Sequence, residues 1–92
     1  MVMASSDDLD NRRRRALWRA CHRGTKELDH LIGRYAEAEV PKMSDGALTR
    51  FEGFLGLEDP QLQAWLLASG MIAGQDYADI ISVVRQFHGL DE

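Results

Sequence analysis

The chain has 92 residues, of which 45% are hydrophobic and 28% charged, and its net charge is −4. This size and composition predict one small domain with a packed core, and they exclude a second core or wholesale disorder. The charge is uneven, because residues 1–34 hold eight Lys/Arg against five Asp/Glu, whereas residues 35–92 hold three against ten. A basic end on an acidic domain favours an oriented polar partner surface and argues against a general nucleic-acid binder.

Targeting and membrane signals are missing from this sequence. No apolar run approaches the roughly 20 residues that span a bilayer, so we expect no direct membrane insertion. Residues 1–10 are acidic and lack an apolar stretch, unlike a secretory or transit peptide. The single cysteine, Cys21, cannot form an internal disulfide, which fits a reducing compartment, most simply the cytoplasm.

Helical spacing of apolar residues recurs from the start of the chain, and no stretch alternates long enough to predict a strand. The first helix is predicted at about residues 7–22, with Ser5 or Ser6 as its N-cap. Its apolar stripe is narrow and consists of Leu9, Ala16, Leu17, Ala20 and Cys21. The second helix is predicted at about residues 25–39 and ends before Pro41. One face of this helix carries Leu28, Leu31, Ile32 and Tyr35.

Three more helices are predicted in the acidic part of the chain. Ser44 can cap a third helix, whose apolar residues are Leu48, Phe51, Phe54 and Leu55. In the next helix Asp59 is the predicted N-cap and Pro60 the first residue, while Gly70 ends it. Its inner face is Leu62, Trp65 and Leu66. A fifth helix is predicted at about residues 75–88, with an inner face of Tyr77, Ile80, Ile81, Val84 and either Phe87 or His88.

The predicted fold is therefore all-α, a small single-domain bundle of five short helices over residues 12–88. Residues 1–11 are expected to be a charged, partly flexible N-terminal segment and residues 89–92 a flexible C-terminus. No heptad pattern persists over three repeats, so we expect a monomer.

The sequence contains no complete catalytic, metal or cofactor site. His22, His30 and His88 are scattered, and one cysteine cannot supply a structural zinc set. The glycines do not have the spacing of a phosphate-binding loop. We therefore expect no catalytic residue, no metal and no stably bound cofactor.

The run Arg12-Arg13-Arg14-Arg15 does not form one cationic face, because consecutive helical residues point in different directions. A solvated helix face, paired with acids from the C-terminal half, is the favoured interpretation. Binding to an acidic partner comes second and nucleic-acid contact last. For Trp18 a core or boundary position is favoured over a ligand-stacking one, and for Trp65 core packing is favoured more strongly.

The stretch Arg23-Gly24-Thr25-Lys26-Glu27 joins the first two predicted helices. Glycine suits the left-handed residue just past a helix end. Arg23 and Glu27 lie where their charges complement the dipoles of the two helices. On these residues alone a salt bridge between Arg23 and Glu27 is the favoured interpretation, and a partner-binding site is the alternative.

This stretch resembles the Arg-Gly-x-x-Glu element of the FAD assembly factors of succinate dehydrogenase, the SdhE type, and Leu28 and Asp29 continue the likeness. Residues 58–66 resemble the Asp-Pro-x-Leu-x-x-Trp-Leu segment of the same family. The resemblance implies a five-helix protein that binds the flavoprotein subunit of succinate dehydrogenase or fumarate reductase.

In that subunit such a protein promotes covalent attachment of FAD, without a catalytic constellation of its own. The implied partner-binding residues are Arg23, Gly24, Lys26, Glu27 and Asp29. The alternative function is a regulatory protein-interaction module such as an antitoxin.

Overall fold

The computed structural model describes residues 6–67 and 76–90, and within these ranges it contains helices and no strand. The helices are α1 (Ser6–Cys21), α2 (Lys26–Glu39), α3 (Asp45–Leu55), α4 (Asp59–Leu67) and α5 (Ala78–Phe87), with a 3₁₀ helix (Val40–Lys42) after α2. The prediction of an all-α bundle of five helices is confirmed. Helix α1 begins inside the N-terminal segment 1–11, and the predicted stop at Gly70 lies outside the described residues.

Two side chains cap helix N-termini: Ser44, as predicted, and Thr25, which the prediction places inside the second helix. The Thr25 hydroxyl accepts a hydrogen bond from the Leu28 N–H at 3.2 Å, and the Ser44 hydroxyl accepts one from the Ala47 N–H at 3.2 Å. These bonds satisfy backbone donors that the first helical turn leaves free. The N-cap prediction for Asp59 is wrong, because Asp59 is the first residue of α4 and its carboxylate accepts hydrogen bonds from Arg23 instead.

All five helices contribute to one hydrophobic core. The predicted inner faces of α2 and α3 are buried in full: Leu28, Leu31, Ile32, Tyr35, Leu48, Phe51, Phe54 and Leu55. Helix α1 buries only its small residues Ala16 and Ala20 completely. Gly33 lets α1 approach α2 closely, because a Cβ there would lie 3.1 Å from the Cys21 sulfur and 3.3 Å from the Cys21 Cα.

The two tryptophans have different environments. Trp65 is half-buried and packs against the core, as predicted. Trp18 is 63% exposed, so the prediction of a core or boundary position is wrong. At the end of α5, His88 is half-buried with its Nε2 2.7 Å from the Leu31 carbonyl oxygen, while Phe87 is 46% exposed.

The arginine run of α1 is largely paired. Arg12 bonds to Asp45 at 2.6 Å, to Thr49 at 2.9 Å and to Glu52 at 2.9 and 3.2 Å. Arg13 bonds to Asp10 at 3.0 Å and to the Met43 carbonyl at 2.7 Å, and Arg14 bonds to Asn11. The interpretation that this run pairs with acids of the C-terminal half therefore holds for Arg12, which links α1 to α3.

Arg12→Ala should lower the melting temperature at neutral pH, whereas Arg15→Ala should not. Arg15 is exposed and makes no hydrogen bond or ion pair within the described ranges, so it is the matched control. The hydrogen bonds from Arg12 hold the pKa of Asp45 below its usual range. The contribution of this pair is therefore complete above about pH 4, the ordinary Asp pKa, and is lost as the pH falls through the lower, folded-state pKa.

Thermal unfolding by circular dichroism, from neutral pH to about pH 3, measures both effects. The gap between wild type and Arg12→Ala should shrink in acid. A gap that does not change with pH, or equal effects of the two substitutions, would contradict this account of the α1–α3 contact.

Candidate functional site

The turn between α1 and α2 depends on a glycine backbone. Gly24 has a φ of +115°, which confirms the predicted positive φ. This angle lies well beyond the left-handed helical well near φ ≈ +57°, where asparagine is also tolerated. A side chain at this position is therefore strained even though space is present: the nearest atom to an added Cβ is the Asp59 Oδ2, at 3.7 Å.

The side chain of Arg23 turns inward and is only 10% exposed. Its Nε and Nη2 donate to Asp59 Oδ1 at 3.0 and 2.7 Å. Its Nη2 also donates to the Leu57 carbonyl at 2.7 Å, and its Nη1 donates to the Leu55 carbonyl. The planar guanidinium presents several donors in a fixed fork, which suits a carboxylate and two carbonyls together. We call this set of contacts the Arg23 clamp.

The predicted salt bridge between Arg23 and Glu27 is not formed. The Arg23 guanidinium points toward the turn between α3 and α4. Its ion-pair partner there is Asp59 and not the predicted Glu27. The predicted pairing rests on nearness in the sequence, whereas the carboxylate that binds Arg23 lies 36 residues away.

Asp29 holds the same turn from the side of α2. Its Oδ1 accepts hydrogen bonds from the backbone N–H groups of Arg23 and Gly24, the latter at 3.2 Å. A carboxylate in the first turn of a helix is also favoured by the helix dipole. Asp29 therefore fixes the path by which the chain enters α2.

The remaining predicted site residues, Gly24, Lys26 and Glu27, are exposed. Neither the Lys26 nor the Glu27 side chain makes a hydrogen bond or ion pair to any described residue. The five predicted site residues thus divide into two groups: Arg23 and Asp29 hold the turn, while Gly24, Lys26 and Glu27 lie at its surface.

An open groove lies beside this turn and contains residues that the sequence analysis did not select. Arg19, His22 and Arg23 form one wall, and residues 55–60 form the other. Trp18 lies next to the groove, with its ring stacked on the His22 ring at 4.2 Å between centroids and 14° between planes. The signal for Trp18 in the sequence is its place off the Ala16–Ala20 stripe, among arginines.

Other chemistry-bearing groups do not assemble into a reactive site in residues 6–67 and 76–90. Burial, with smaller contributions from Glu37 and Asp29, raises the pKa of the Cys21 thiol, which favours the unreactive protonated form. The His30 and His88 rings lie 5.4 Å apart, yet this part of the chain holds no cluster of three or more metal-ligating side chains. None of its helices is long and apolar enough to cross a membrane.

Arg23→Ala should destabilise the fold by about 2–3 kcal/mol, because it leaves the Asp59 carboxylate and two carbonyls without their donor. Arg23→Lys keeps the charge and loses the fork, so it should fall between wild type and Arg23→Ala. Arg34, which is exposed and pairs with Glu37 at 3.4 Å, is the control, and Arg34→Ala should cost about 0.5 kcal/mol or less. Urea unfolding measures these differences, and wild-type stability of Arg23→Ala would contradict the clamp.

Comparison with known proteins identifies the family. Residues 14–88 match the family described as "Flavinator of succinate dehydrogenase". The FAD assembly factor SdhE of Acetobacter pasteurianus is 47% identical over 62 residues, which are 67% of this chain and 57% of that protein. The FAD assembly factor SdhE of Legionella pneumophila (strain Paris) is 33% identical over 78 residues, 84% of this chain and 96% of that protein.

The FAD assembly factor SdhE of a Serratia species is likewise 33% identical over 78 residues, 85% of this chain and 86% of that protein. No solved structure matches the chain significantly. Since the family match spans most of the chain and includes both the Arg23 clamp and Glu27, the chain belongs to the flavinators of succinate dehydrogenase.

Proposed function

We propose that this chain is an assembly factor that binds the apo flavoprotein subunit of succinate dehydrogenase, or of fumarate reductase, and promotes covalent attachment of FAD to it. The family's description and the names of the relatives support this role. The structural observation that carries the proposal is the exposed side chain of Glu27. Its carboxylate is exposed and has no partner among the described residues, while the turn beside it is fixed by Arg23 and Asp29.

The turn is suited to docking because it is ordered before the partner arrives. The Arg23 clamp and Asp29 immobilise the backbone, so little conformational entropy is lost on binding. Gly24 has no side chain, which allows the backbone of a partner to come close. Glu27 offers a carboxylate, unpaired within the described ranges and carried on this fixed backbone, for a cationic or N–H group of the flavoprotein, and Lys26 adds a cation beside it.

Docking promotes the reaction by holding the flavoprotein in the conformation that presents to the flavin the side chain to be flavinylated. Holding two groups in a reactive geometry lowers the barrier without adding a reacting group. The factor is therefore a chaperone-like protein and not an enzyme, and the covalent bond forms between FAD and its partner. No FAD remains bound to this chain.

The proposed factor works as a cytoplasmic monomer. The single cysteine fits a reducing compartment. Nucleic acid is not a partner in this proposal, because Arg12, Arg13 and Arg14 are engaged with the protein's own acceptors.

Glu27→Ala should leave the melting temperature within a few degrees of wild type and lower the flavinylation rate about tenfold or more. The first expectation follows because Glu27 has no internal contact among the described residues, and the second because truncating a desolvated interfacial charge costs about 2–5 kcal/mol of binding. The matched control is Glu37→Ala, which removes an exposed carboxylate at the far end of α2. This variant should support flavinylation at the wild-type rate.

The assay combines purified apo flavoprotein, FAD and a limiting amount of factor, and it reads covalent flavin fluorescence in a denaturing gel. Full activity of Glu27→Ala at equal folded concentration would place the docking surface elsewhere on the chain. A loss shared equally by Glu37→Ala would show that any loss of negative charge on α2 has this effect.

Gly24→Ala should lower both stability and flavinylation. The positive φ costs a non-glycine residue about 1–3 kcal/mol, and Gly24→Asn should suffer too, because φ +115° lies outside the well that asparagine tolerates. Calorimetry on both variants measures the strain, and flavinylation is then compared at equal folded concentration. Wild-type melting of Gly24→Ala would mean that the turn takes another backbone conformation in solution.

A further inference from the structure

Trp18 is the most exposed large hydrophobic residue among the described positions. Its side chain is 63% exposed, compared with 46% for Phe87 and 45% for Val83. A tryptophan left in water forgoes a large hydrophobic gain, and tryptophan is strongly enriched among the residues that dominate protein–protein binding energies. The proposed function as stated above uses neither this residue nor His22.

The exposed indole is held in one orientation. Trp18 and His22 lie one helical turn apart on α1, and their rings stack at 4.2 Å with 14° between planes. The His22 ring is fixed in turn by its Nδ1, which lies 2.7 Å from the Trp18 carbonyl oxygen. An aromatic side chain that is already ordered loses little rotamer freedom when it is buried in a complex.

The surroundings of Trp18 indicate the chemistry of what it binds. Arg15 and Arg19, both exposed, flank it on α1, and neither side chain makes a hydrogen bond or ion pair to any residue in 6–67 or 76–90. His22 and Arg19 line the groove that reaches Asp59, and Asp59 Oδ2 lies 3.7 Å from the place of a Gly24 Cβ. The aromatic pair is therefore continuous with the Gly24 turn.

We infer that Trp18 is the hydrophobic anchor of the docking surface, that it enters an apolar recess of the flavoprotein, and that carboxylates around this recess face Arg15 and Arg19. This inference rests on the proposed function and extends its site from the Gly24 turn along α1. His22 acts as a positioning residue that holds the indole. The arginines give the approach its orientation, because opposite charges steer an encounter between two proteins.

Burial of Trp18 can be observed on the unmutated chain. The chain is labelled with 5-fluorotryptophan, which gives one ¹⁹F resonance for Trp18 and one for Trp65, assigned with Trp18→Phe; the flavoprotein stays unlabelled and silent. On addition of apo flavoprotein the Trp18 resonance should change its chemical shift and lose its H₂O/D₂O isotope shift. The Trp65 resonance should keep its chemical shift, because that ring packs against the core.

Affinity gives the second measurement. Trp18→Ala should weaken binding of apo flavoprotein more than tenfold and leave the melting temperature nearly unchanged, because Trp18 is exposed and does not belong to the core. Val83→Ala removes an exposed apolar side chain from α5 and should bind like wild type. Raising the ionic strength should slow association of wild type more than of the Arg15→Ala/Arg19→Ala double variant.

The outcomes separate the two proposals. If the wild-type chain does not bind the apo flavoprotein at all, both the proposed function and this inference are overturned. If the wild type binds, and Trp18→Ala binds within threefold of it while the Trp18 resonance keeps its isotope shift, only the anchor is overturned.

Discussion

The guanidinium of Arg23 is the contact on which the geometry of the site depends. It joins the end of α1 to the start of α4 through Asp59, and it also binds the carbonyls of Leu55 and Leu57, at the end of α3. The Leu55 carbonyl belongs to the last turn of α3, where the backbone lacks intrahelical donors, and the Leu57 carbonyl follows in the turn to α4. One side chain thus satisfies a helix end, orients the next helix and fixes the turn that carries Gly24. Two motifs that lie 36 residues apart in the sequence form one structural unit.

Under the proposed function, this contact divides one short stretch into residues that hold the fold and residues that meet the partner. The side chains of Arg23 and Asp29 form hydrogen bonds with the protein's own backbone, and Arg23 also binds Asp59. Substitution of either residue therefore acts first on stability. Glu27 has no such role among the described residues, which makes it the sharper probe of partner binding. A single motif can therefore contain both positions that stabilise the fold and positions that contact a partner, and burial distinguishes them. The Arg23 side chain is only 10% exposed, whereas Glu27 is exposed.

The sequence predicts what is local and misses what is distant. The inner face of α2 and the Ser44 cap follow from spacing and from neighbours three or four residues away, and both are confirmed. The predictions of an Arg23–Glu27 pair and of an Asp59 cap are wrong for one reason. Both predictions give the residue a local partner, whereas Arg23 and Asp59 bind each other across the fold. Trp18 lies next to the narrow α1 stripe in the sequence, which favours a core or boundary position, yet the folded chain leaves it 63% exposed. Such long-range and surface features depend on tertiary packing, which local sequence patterns do not reveal.

The most direct test of the account is hydrogen–deuterium exchange of the chain with and without apo flavoprotein. The first amides of α2 lack intrahelical acceptors, and those of Lys26 and Glu27 belong to this group, so they exchange readily in the free chain and report sensitively on a docked partner. The account predicts new protection in peptides that cover residues 18–29 and little change over α5. Protection confined to α5, with residues 18–29 unchanged, would contradict it.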